Sequence, residues 1–427
     1  MIVKKNATPR ICSSIPSQTS CVLKPAQIPC VVKKTHANRV TVQQAASSKQ
    51  DVSRRDILGG TASGIVLPGL LPFIHVPAPV YAQEGIPRAE LADGLDVSRV
   101  VKGCWQLSGG HRGDSATDRT SGQVAIEDFG RFVDAGVTTF DAADHYGPAE
   151  VLIGKYLTSM GPERAQELRN KVQVLTKTCL FDALNMSNVS RKIIARFVNK
   201  SVERLGTKPD LIQFYWGEYG IPKYVDAAKY LADEQAAGQF GHLGVTNFDV
   251  QRIADIAEKG GVRVEANQLQ YSLLDRRPEN GMVEYCLKNN IRLLPYGVLA
   301  GGLLSSRYLG APASSVVLDT FSKRKYASVI GQAGGWEWFQ SLLQVLDGIA
   351  QKHSTSLSNI ATRWVLDKPG VAGASIGARN PSHLPDYAAL FNFNLDADDN
   401  AAIQEVLKRG KQPLGDCYQF ERGLGPF

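Results

Sequence analysis

The sequence predicts an α/β fold, a (β/α)8 TIM barrel, from three observations. From Val97 to about residue 390, short β-rich runs alternate eight times with segments whose apolar residues recur every three or four positions. This span of about 300 residues suits such a barrel with insertions. The glycine-rich GxGxxG and GxxxxGK motifs, which mark dinucleotide-binding open sheets and P-loops, do not occur in the sequence.

The predicted elements follow one another in barrel order. The strands are Val97–Trp105, Thr138–Ala142, Val172–Lys177, Leu211–Trp216, Phe240–Val245, Val262–Leu269, Ile291–Pro295 and Val371–Ile376. Apolar spacing predicts helices over Val124–Asp134, Ile193–Leu205, Val225–Ala236, Ile253–Ala257, Leu384–Leu390 and Asp396–Lys408. Glycine marks helix ends at Gly136 and Gly206. After the seventh strand, the Gly-, Ser- and Ala-rich stretch Gly297–Gly335 predicts an insertion over the barrel mouth.

The first 82 residues are predicted to be a cleavable targeting leader in two parts. Residues 1–50 contain eight Lys and Arg side chains and no Asp or Glu, which is typical of an organelle transit peptide. Residues 51–82 resemble a twin-arginine signal, because Arg54 and Arg55 precede an apolar run that ends in Ala82, before Gln83. This order predicts import into a chloroplast and then its thylakoid lumen. Residues 83–427 would form the mature barrel.

Charge and cysteine content exclude several functions. The net charge of +7 comes from the leader, which holds ten basic and two acidic residues, so the remainder is nearly neutral. We therefore expect no nucleic-acid partner. Glycines and prolines interrupt the apolar run of the leader, so we expect no stable membrane anchor. The seven cysteines form no CxxC pair and none has a histidine at zinc-site spacing, so no metal is expected.

Polar residues at the ends of the predicted strands indicate the chemistry. In this fold, working residues lie where strands end and βα-loops begin. A tyrosine acts well as a general acid when its pKa falls from about 10 toward neutrality. A nearby ammonium lowers that pKa, and a carboxylate holds the ammonium in place. Tyr146, Lys177 and Asp141 supply these three groups at two adjacent strand ends. Other strand ends carry Trp105, Trp216, Thr246, Asn247, Gln268 and Tyr296.

Six segments resemble motifs of the aldo-keto reductase family, in the family's order. Residues 139–147, TFDAADHYG, are similar to its FDTAxxYG segment. The others are VLTK at 174–177, GVTNF at 244–248, NQLQYS at 267–272, LPYG at 294–297 and IGARN at 376–380. The resemblance covers about residues 97–390, which is most of the chain after the leader.

The resemblance implies an NADP(H)-dependent oxidoreductase that reduces a small aldehyde or ketone to an alcohol. Tyr146 would donate the proton, tuned by Lys177 and Asp141. The cofactor is NADPH, with NADH not excluded. The residues that would hold it are Thr246, Asn247 and Gln268 at the carboxamide, Tyr296 stacked on the nicotinamide, and Gly377 and Arg379 at the 2′-phosphate. We expect Trp105 and Trp216 to contact the substrate.

The chain departs from the family pattern in two places. Tyr215, in QFYW at 213–216, replaces the usual fourth catalytic residue, a histidine. A phenol donates a hydrogen bond but relays protons poorly near pH 7. His111 or His145 could take that role. The tail helix carries His383 and Tyr387 where glutamine and asparagine are usual. The alternative function is therefore a weakly active or inactive NADP(H)-binding module with a redox-sensing or regulatory role.

Overall fold

Eight parallel strands close into a barrel in the computed structural model, which describes residues 85–108, 122–159, 161–417, 419 and 421. Two further strands precede the eight of the barrel. In chain order all ten strands of the described residues are β1 (Arg88–Ala92), β2 (Leu95–Ser98), β3 (Val100–Gly103), β4 (Thr139–Asp141), β5 (Gln173–Leu180), β6 (Leu211–Trp216), β7 (His242–Thr246), β8 (Ala266–Gln270), β9 (Arg292–Tyr296) and β10 (Ala374–Gly377). Strands β3 to β10 pair in sequence, and β10 closes the barrel on β3. The predicted (β/α)8 barrel is confirmed.

Helices cover the outside of the barrel. They are α1 (Gly122–Asp134), α2 (Ala149–Thr158), α3 (Gly161–Lys171), α4 (Ala183–Ser187), α5 (Arg191–Leu205), α6 (Tyr224–Ala236), α7 (Val250–Glu258), α8 (Met282–Lys288), α9 (Phe321–Ala333), α10 (Gly335–Lys352), α11 (Leu357–Leu366), α12 (Leu384–Ala389) and α13 (Ala397–Lys408). The described residues include no helix whose length and apolar character would suit a membrane crossing. The predicted leader, its cleavage site before Gln83 and His111 lie outside the described residues.

The predicted strand Val97–Trp105 is two strands in the structure. Its first part belongs to β2, which pairs antiparallel with β1 in a hairpin, and only Val100–Gly103 enters the barrel. The chain turns between them, where the Ser98 hydroxyl donates to the Val100 carbonyl over 2.7 Å. Leu91 and Val97 of the hairpin pack with the innermost barrel side chains, so the hairpin plugs the N-terminal end of the barrel.

The two-residue alternation of the strands decides which side chains face the barrel axis. Leu175 of β5 and Leu211 of β6 lie in the inner core beside the hairpin. Side chains two and four residues later also face the barrel axis, but they lie nearer its C-terminal end. In β5 and β6 these positions pair as Lys177 with Gln213 and Cys179 with Tyr215. The barrel therefore has an apolar floor and a polar mouth.

The insertion after β9 returns to the mouth of the barrel. Three single 3₁₀ turns lead to α9, and the Thr320 hydroxyl caps this helix by accepting from the Lys323 amide over 3.2 Å. The helix packs tightly on the chain that leaves β9, because a Cβ at Gly297 would collide with the Tyr326 hydroxyl. Gly297 also has a φ of +74°, a conformation that side chains disfavour. The insertion therefore lies where the sequence predicts it.

Candidate active site

A buried ion pair lies at the centre of the barrel mouth. The Lys177 ammonium donates to Asp141 Oδ1 over 2.7 Å and to the Ala142 carbonyl over 2.8 Å. The same carboxylate accepts from Gln213 Nε2 over 2.9 Å and from the Ser375 hydroxyl over 3.2 Å. Burial alone would lower the pKa of Lys177, but the Asp141 carboxylate outweighs it and the pKa is raised. The ammonium therefore stays charged and fixed in position.

Tyr146 contacts this ion pair. The Lys177 ammonium lies 4.9 Å from the centre of its ring. Burial of the phenol raises the pKa of Tyr146 to about 12, although the nearby ammonium acts in the opposite direction. The expectation that Lys177 brings this pKa down toward neutrality is therefore wrong, because desolvation is the larger effect. Tyr146 is a neutral phenol at physiological pH, which is the form that can donate a proton.

Aromatic side chains line the mouth beside Tyr146. The Trp105 ring lies 5.0 Å from the Tyr146 ring and the His145 ring 4.7 Å from it. The Phe181 ring contacts both His145 and Tyr215, with distances of 4.9 Å and 5.1 Å between ring centres. The structure thus places Trp105 directly at the predicted proton donor, and it places Tyr215 on the same wall. Among the described residues, His145 is the one histidine on this wall.

Trp216 does not join this group. It follows Tyr215 on β6 and therefore faces the opposite side of the strand, toward the helices. The ring is fully buried 5.9 Å from that of Phe214, and its indole N–H donates to the carbonyls of Glu218 and Ile221. A side chain used in this way has no surface left for a substrate. Its placement contradicts the predicted substrate contact.

Four predicted cofactor residues cluster at the ends of β7, β8 and β9. The Tyr296 hydroxyl donates to Asn247 Oδ1 over 3.0 Å, and the Asn247 amide donates to the Gln268 carbonyl over 2.8 Å. Asn247 has a φ of +55°, which is uncommon for a residue other than glycine, although asparagine adopts it more readily than most. Thr246 precedes it and is buried. The structure brings all four residues together.

Gln268 has an unused donor that fits a nicotinamide carboxamide. Its side-chain nitrogen is buried and has no hydrogen-bond partner among the described residues. Leaving such a donor unsatisfied costs free energy, so it is usually paired in the working molecule. The carbonyl oxygen of a carboxamide is an acceptor that can satisfy it. The residues present therefore fit the nicotinamide group of such a cofactor.

Lys325 of α9 is a site residue that the sequence analysis missed. Its ammonium lies 5.3 Å from the centre of the Tyr296 ring and 5.2 Å from that of Tyr326. Burial lowers the pKa of Lys325, and no carboxylate forms an ion pair with it in the described part of the chain. An ammonium held in this way suits a phosphate group. The basic run SKRK at 322–325 was the available signal, but its position over the mouth depends on tertiary structure.

The predicted 2′-phosphate residues lie after β10. Gly377 is exposed, and a Cβ there would collide with the side chain of Gln106. Arg379 is half-buried, and its charge helps to lower the pKa of Asp319, after the larger effect of a hydrogen bond from Lys323. The two residues of the predicted tail helix differ in exposure. His383 is exposed and pairs with a nearby carboxylate, whereas Tyr387 is buried in the core and is thus unavailable to an adenine ring.

Comparisons with known proteins agree with this geometry. A sequence profile of the Aldo/keto reductase family matches residues 99–408. Aldo-keto reductase YhdN of Bacillus subtilis is 27% identical over 329 residues, covering 75% of this chain and 94% of that protein. The NADH-specific methylglyoxal reductase of Escherichia coli is 24% identical, covering 73% and 95%. A glycerol dehydrogenase from Gluconobacter oxydans shares the fold, with a TM-score of 0.61, 23% identity and coverage of 77% and 97%. The chain belongs to the aldo/keto reductase family.

Proposed function

We propose that the protein reduces a small aldehyde or ketone to an alcohol, with hydride from NADPH and a proton from Tyr146. The observation that carries the proposal is the contact of a neutral phenol with an ammonium that a buried carboxylate holds in place. This arrangement lies in an aromatic-walled mouth beside the unused amide of Gln268. Aldo-keto reductases use nicotinamide cofactors, and the family membership supports an oxidoreductase.

The residues of the chain divide the reaction into proton transfer and positioning. A bound nicotinamide supplies the hydride. As negative charge develops on the carbonyl oxygen, the Tyr146 hydroxyl donates its proton to that oxygen. The phenolate that remains is stabilised by the Lys177 ammonium, which Asp141 and the Ala142 carbonyl keep in position. Trp105 packs on Tyr146 and helps to orient its ring.

The raised pKa of Tyr146 predicts opposite pH profiles for the two directions of reaction. Reduction needs the protonated phenol, which predominates below a pKa of about 12, so kcat for reduction should be flat between about pH 6 and 9. Alcohol oxidation needs the phenolate, so its kcat should rise about tenfold per pH unit in the same range. Steady-state kinetics in both directions measure this. A reduction rate that falls through pH 7–8 would contradict a buried phenol.

Replacing Gln268 with leucine should weaken nicotinamide binding. The substitution removes the unused buried donor and shortens the side chain by one atom, so we expect the Kd for NADPH to rise by about tenfold. Quenching of protein fluorescence on titration measures the Kd. Gln166→Leu, at an exposed position of α3, is the matched control and should leave the Kd unchanged. Equal Kd values for Gln268→Leu and the wild type would remove Gln268 from the site.

The choice between NADPH and NADH needs its own experiment, because one relative is named as NADH-specific. We propose NADPH, with Arg379 as the partner of the 2′-phosphate, since a guanidinium pairs well with a phosphate dianion. Arg379→Ala should then raise the Kd for NADPH by about 10- to 100-fold and leave that for NADH nearly unchanged. If the wild-type protein binds NADH as tightly as NADPH, the proposed preference is wrong.

Tyr215 favours the second candidate, a cofactor-binding module with little turnover. It occupies the position where the family usually has a histidine, and it joins the wall of the mouth through Phe181. A neutral phenol there relays protons poorly. Tight NADPH binding without turnover on a panel of aldehydes and ketones would support this candidate, as would gain of turnover in Tyr215→His. Ready turnover by the wild-type protein would reject it.

We also propose that the chain is targeted to the thylakoid lumen of a chloroplast, with residues 1–50 as a transit peptide and 51–82 as a twin-arginine signal. The acid-free basic composition followed by paired arginines and an apolar run supports this. N-terminal sequencing of the mature protein should begin near Gln83, and a full-length fluorescent fusion should localise to the lumen. A mature protein that retains residues 1–50 would contradict the proposal.

A further inference from the structure

Three potential metal ligands of different chemistry converge beside the proposed active site. Asp144 and His145 follow β4, and Cys179 lies in the adjacent strand β5. His145 Nδ1 is 3.0 Å from Asp144 Oδ1, and the backbone amide of Cys179 donates to Asp144 Oδ2 over 2.9 Å. One ligand atom from each residue lies within 4.8 Å of those of the other two. Small side-chain rotations would bring these atoms around one ion.

The surroundings hold this group in place. Arg204 donates to the Asp144 carbonyl over 2.8 Å and so fixes the loop that carries the first two ligands. Cys179 is buried, and His145 is the most exposed of the three residues. The site is therefore open on the histidine side, from which an ion could enter. The proposed reduction uses neither the Cys179 thiol nor the Asp144 carboxylate.

The donor set decides between two uses of such a cluster. A cysteine beside a histidine can serve as a nucleophile, but that role needs an exposed thiol of low pKa. Cys179 is buried, so its thiol is not accessible to a substrate. One sulfur, one nitrogen and one oxygen suit Zn²⁺, whereas Ca²⁺ and Mg²⁺ prefer oxygen ligands alone.

We propose that Asp144, His145 and Cys179 form a binding site for Zn²⁺ at the barrel mouth, and that filling it slows carbonyl reduction. Binding forms a Zn–S bond as the thiol releases its proton to solvent. Three protein ligands leave a fourth position for water. The His145 ring lies 4.7 Å from Tyr146 and 4.9 Å from Phe181, so the bound ion would lock the wall past which a carbonyl must approach. Zinc binding itself does not depend on the proposed reduction, whereas the inhibition does.

Cobalt spectroscopy on the full chain tests the site without an activity readout. We expect Co²⁺ to give a thiolate-to-cobalt absorption band with one equivalent bound, and Zn²⁺ to displace it. Cys179→Ala should abolish the band, and His145→Ala should weaken zinc affinity by at least about tenfold. Cys286→Ala, which removes a buried thiol of α8, is the matched control. It should keep both the absorption band and the wild-type affinity for zinc. A band that survives in Cys179→Ala, or no stoichiometric zinc binding by calorimetry, would overturn the site.

Activity measurements then test the consequence. Zinc should reduce the rate of aldehyde reduction by the wild type over the concentration range in which it displaces cobalt, and a chelator should restore the rate. The Cys286→Ala variant should respond like the wild type. Zinc binding with an unchanged rate of reduction would refute the inhibition. Absence of zinc binding in a protein that still reduces aldehydes would refute the metal site and leave the proposed reduction intact.

Discussion

Replacing Tyr146 with phenylalanine is expected to lower kcat for carbonyl reduction by about 10²- to 10⁴-fold. The substitution removes the proposed proton donor, yet it keeps the ring that packs on Trp105. The Kd for NADPH should change little, because the cofactor residues cluster around Tyr296 on other strands. Single-turnover kinetics with saturating NADPH measure the loss.

A matched control separates the loss of this hydroxyl from the general loss of a buried phenol. Tyr156 on α2 is buried, whereas Tyr146 is half-buried, and Tyr156 packs on Phe129 and Phe140 on the helix side of the barrel. Tyr156→Phe should therefore leave kcat near the wild-type value. Equal activity of Tyr146→Phe and the wild type would show that another group donates the proton and would remove the basis of the proposed mechanism.

Replacing Arg277 with methionine is expected to lower the free energy of unfolding by about 3–5 kcal/mol, because it leaves buried carboxylates without a counter-charge. Arg277 is fully buried, and its Nη2 lies 2.6 Å from Asp275 Oδ2 and 2.6 Å from Glu421 Oε1. Its Nη1 also donates to the Asp416 carbonyl over 3.1 Å. The side chain therefore ties Asp416 and Glu421 to the barrel. Denaturant unfolding at constant m-value measures the change.

The adjacent arginine provides the control for this prediction. Arg276→Met removes the same charge at a half-buried position that forms no ion pair among the described residues, and it should cost less than about 1 kcal/mol. Adding Glu421→Gln to Arg277→Met removes one of the stranded charges and should recover part of the loss. Similar stabilities of Arg277→Met and Arg276→Met would mean that the buried network adds nothing measurable.

Periodicity predicted the barrel because parallel strands covered on both faces leave a strong local signal. Leu211–Trp216 was predicted with the bounds that β6 has in the structure. Where a strand meets a turn, the local pattern is weaker. The division between β2 and β3 depends on hydrogen bonds between Ser98 and Thr139, and the end of β5 depends on pairing with β6 as far as Leu180. These are tertiary contacts that a local pattern does not contain.

Only part of the site could be predicted, because some of its properties also depend on tertiary contacts. The motifs located Asp141, Lys177 and Tyr146, but the direction of the Tyr146 pKa depends on how completely its surroundings exclude water, which spacing does not report. The direction of Trp216 follows from the strand pattern alone. Strand alternation from Gln213, which faces Asp141, already turns Trp216 toward the helices. The role of Lys325 depends on the path of a long insertion, for which no periodic signal exists.

The side-by-side pairing of Lys177 with Gln213 restricts which changes in length the protein can tolerate. Adding or deleting one residue within β5 or β6 would rotate every later side chain of that strand by half a turn. A one-residue deletion upstream would turn Lys177 or Gln213 toward the helices, and Thr178 of β5 or Phe214 of β6 would point into the barrel mouth instead. The segment between β9 and α9 carries no such constraint, so shortening or lengthening it is the safer route to altered substrate selectivity.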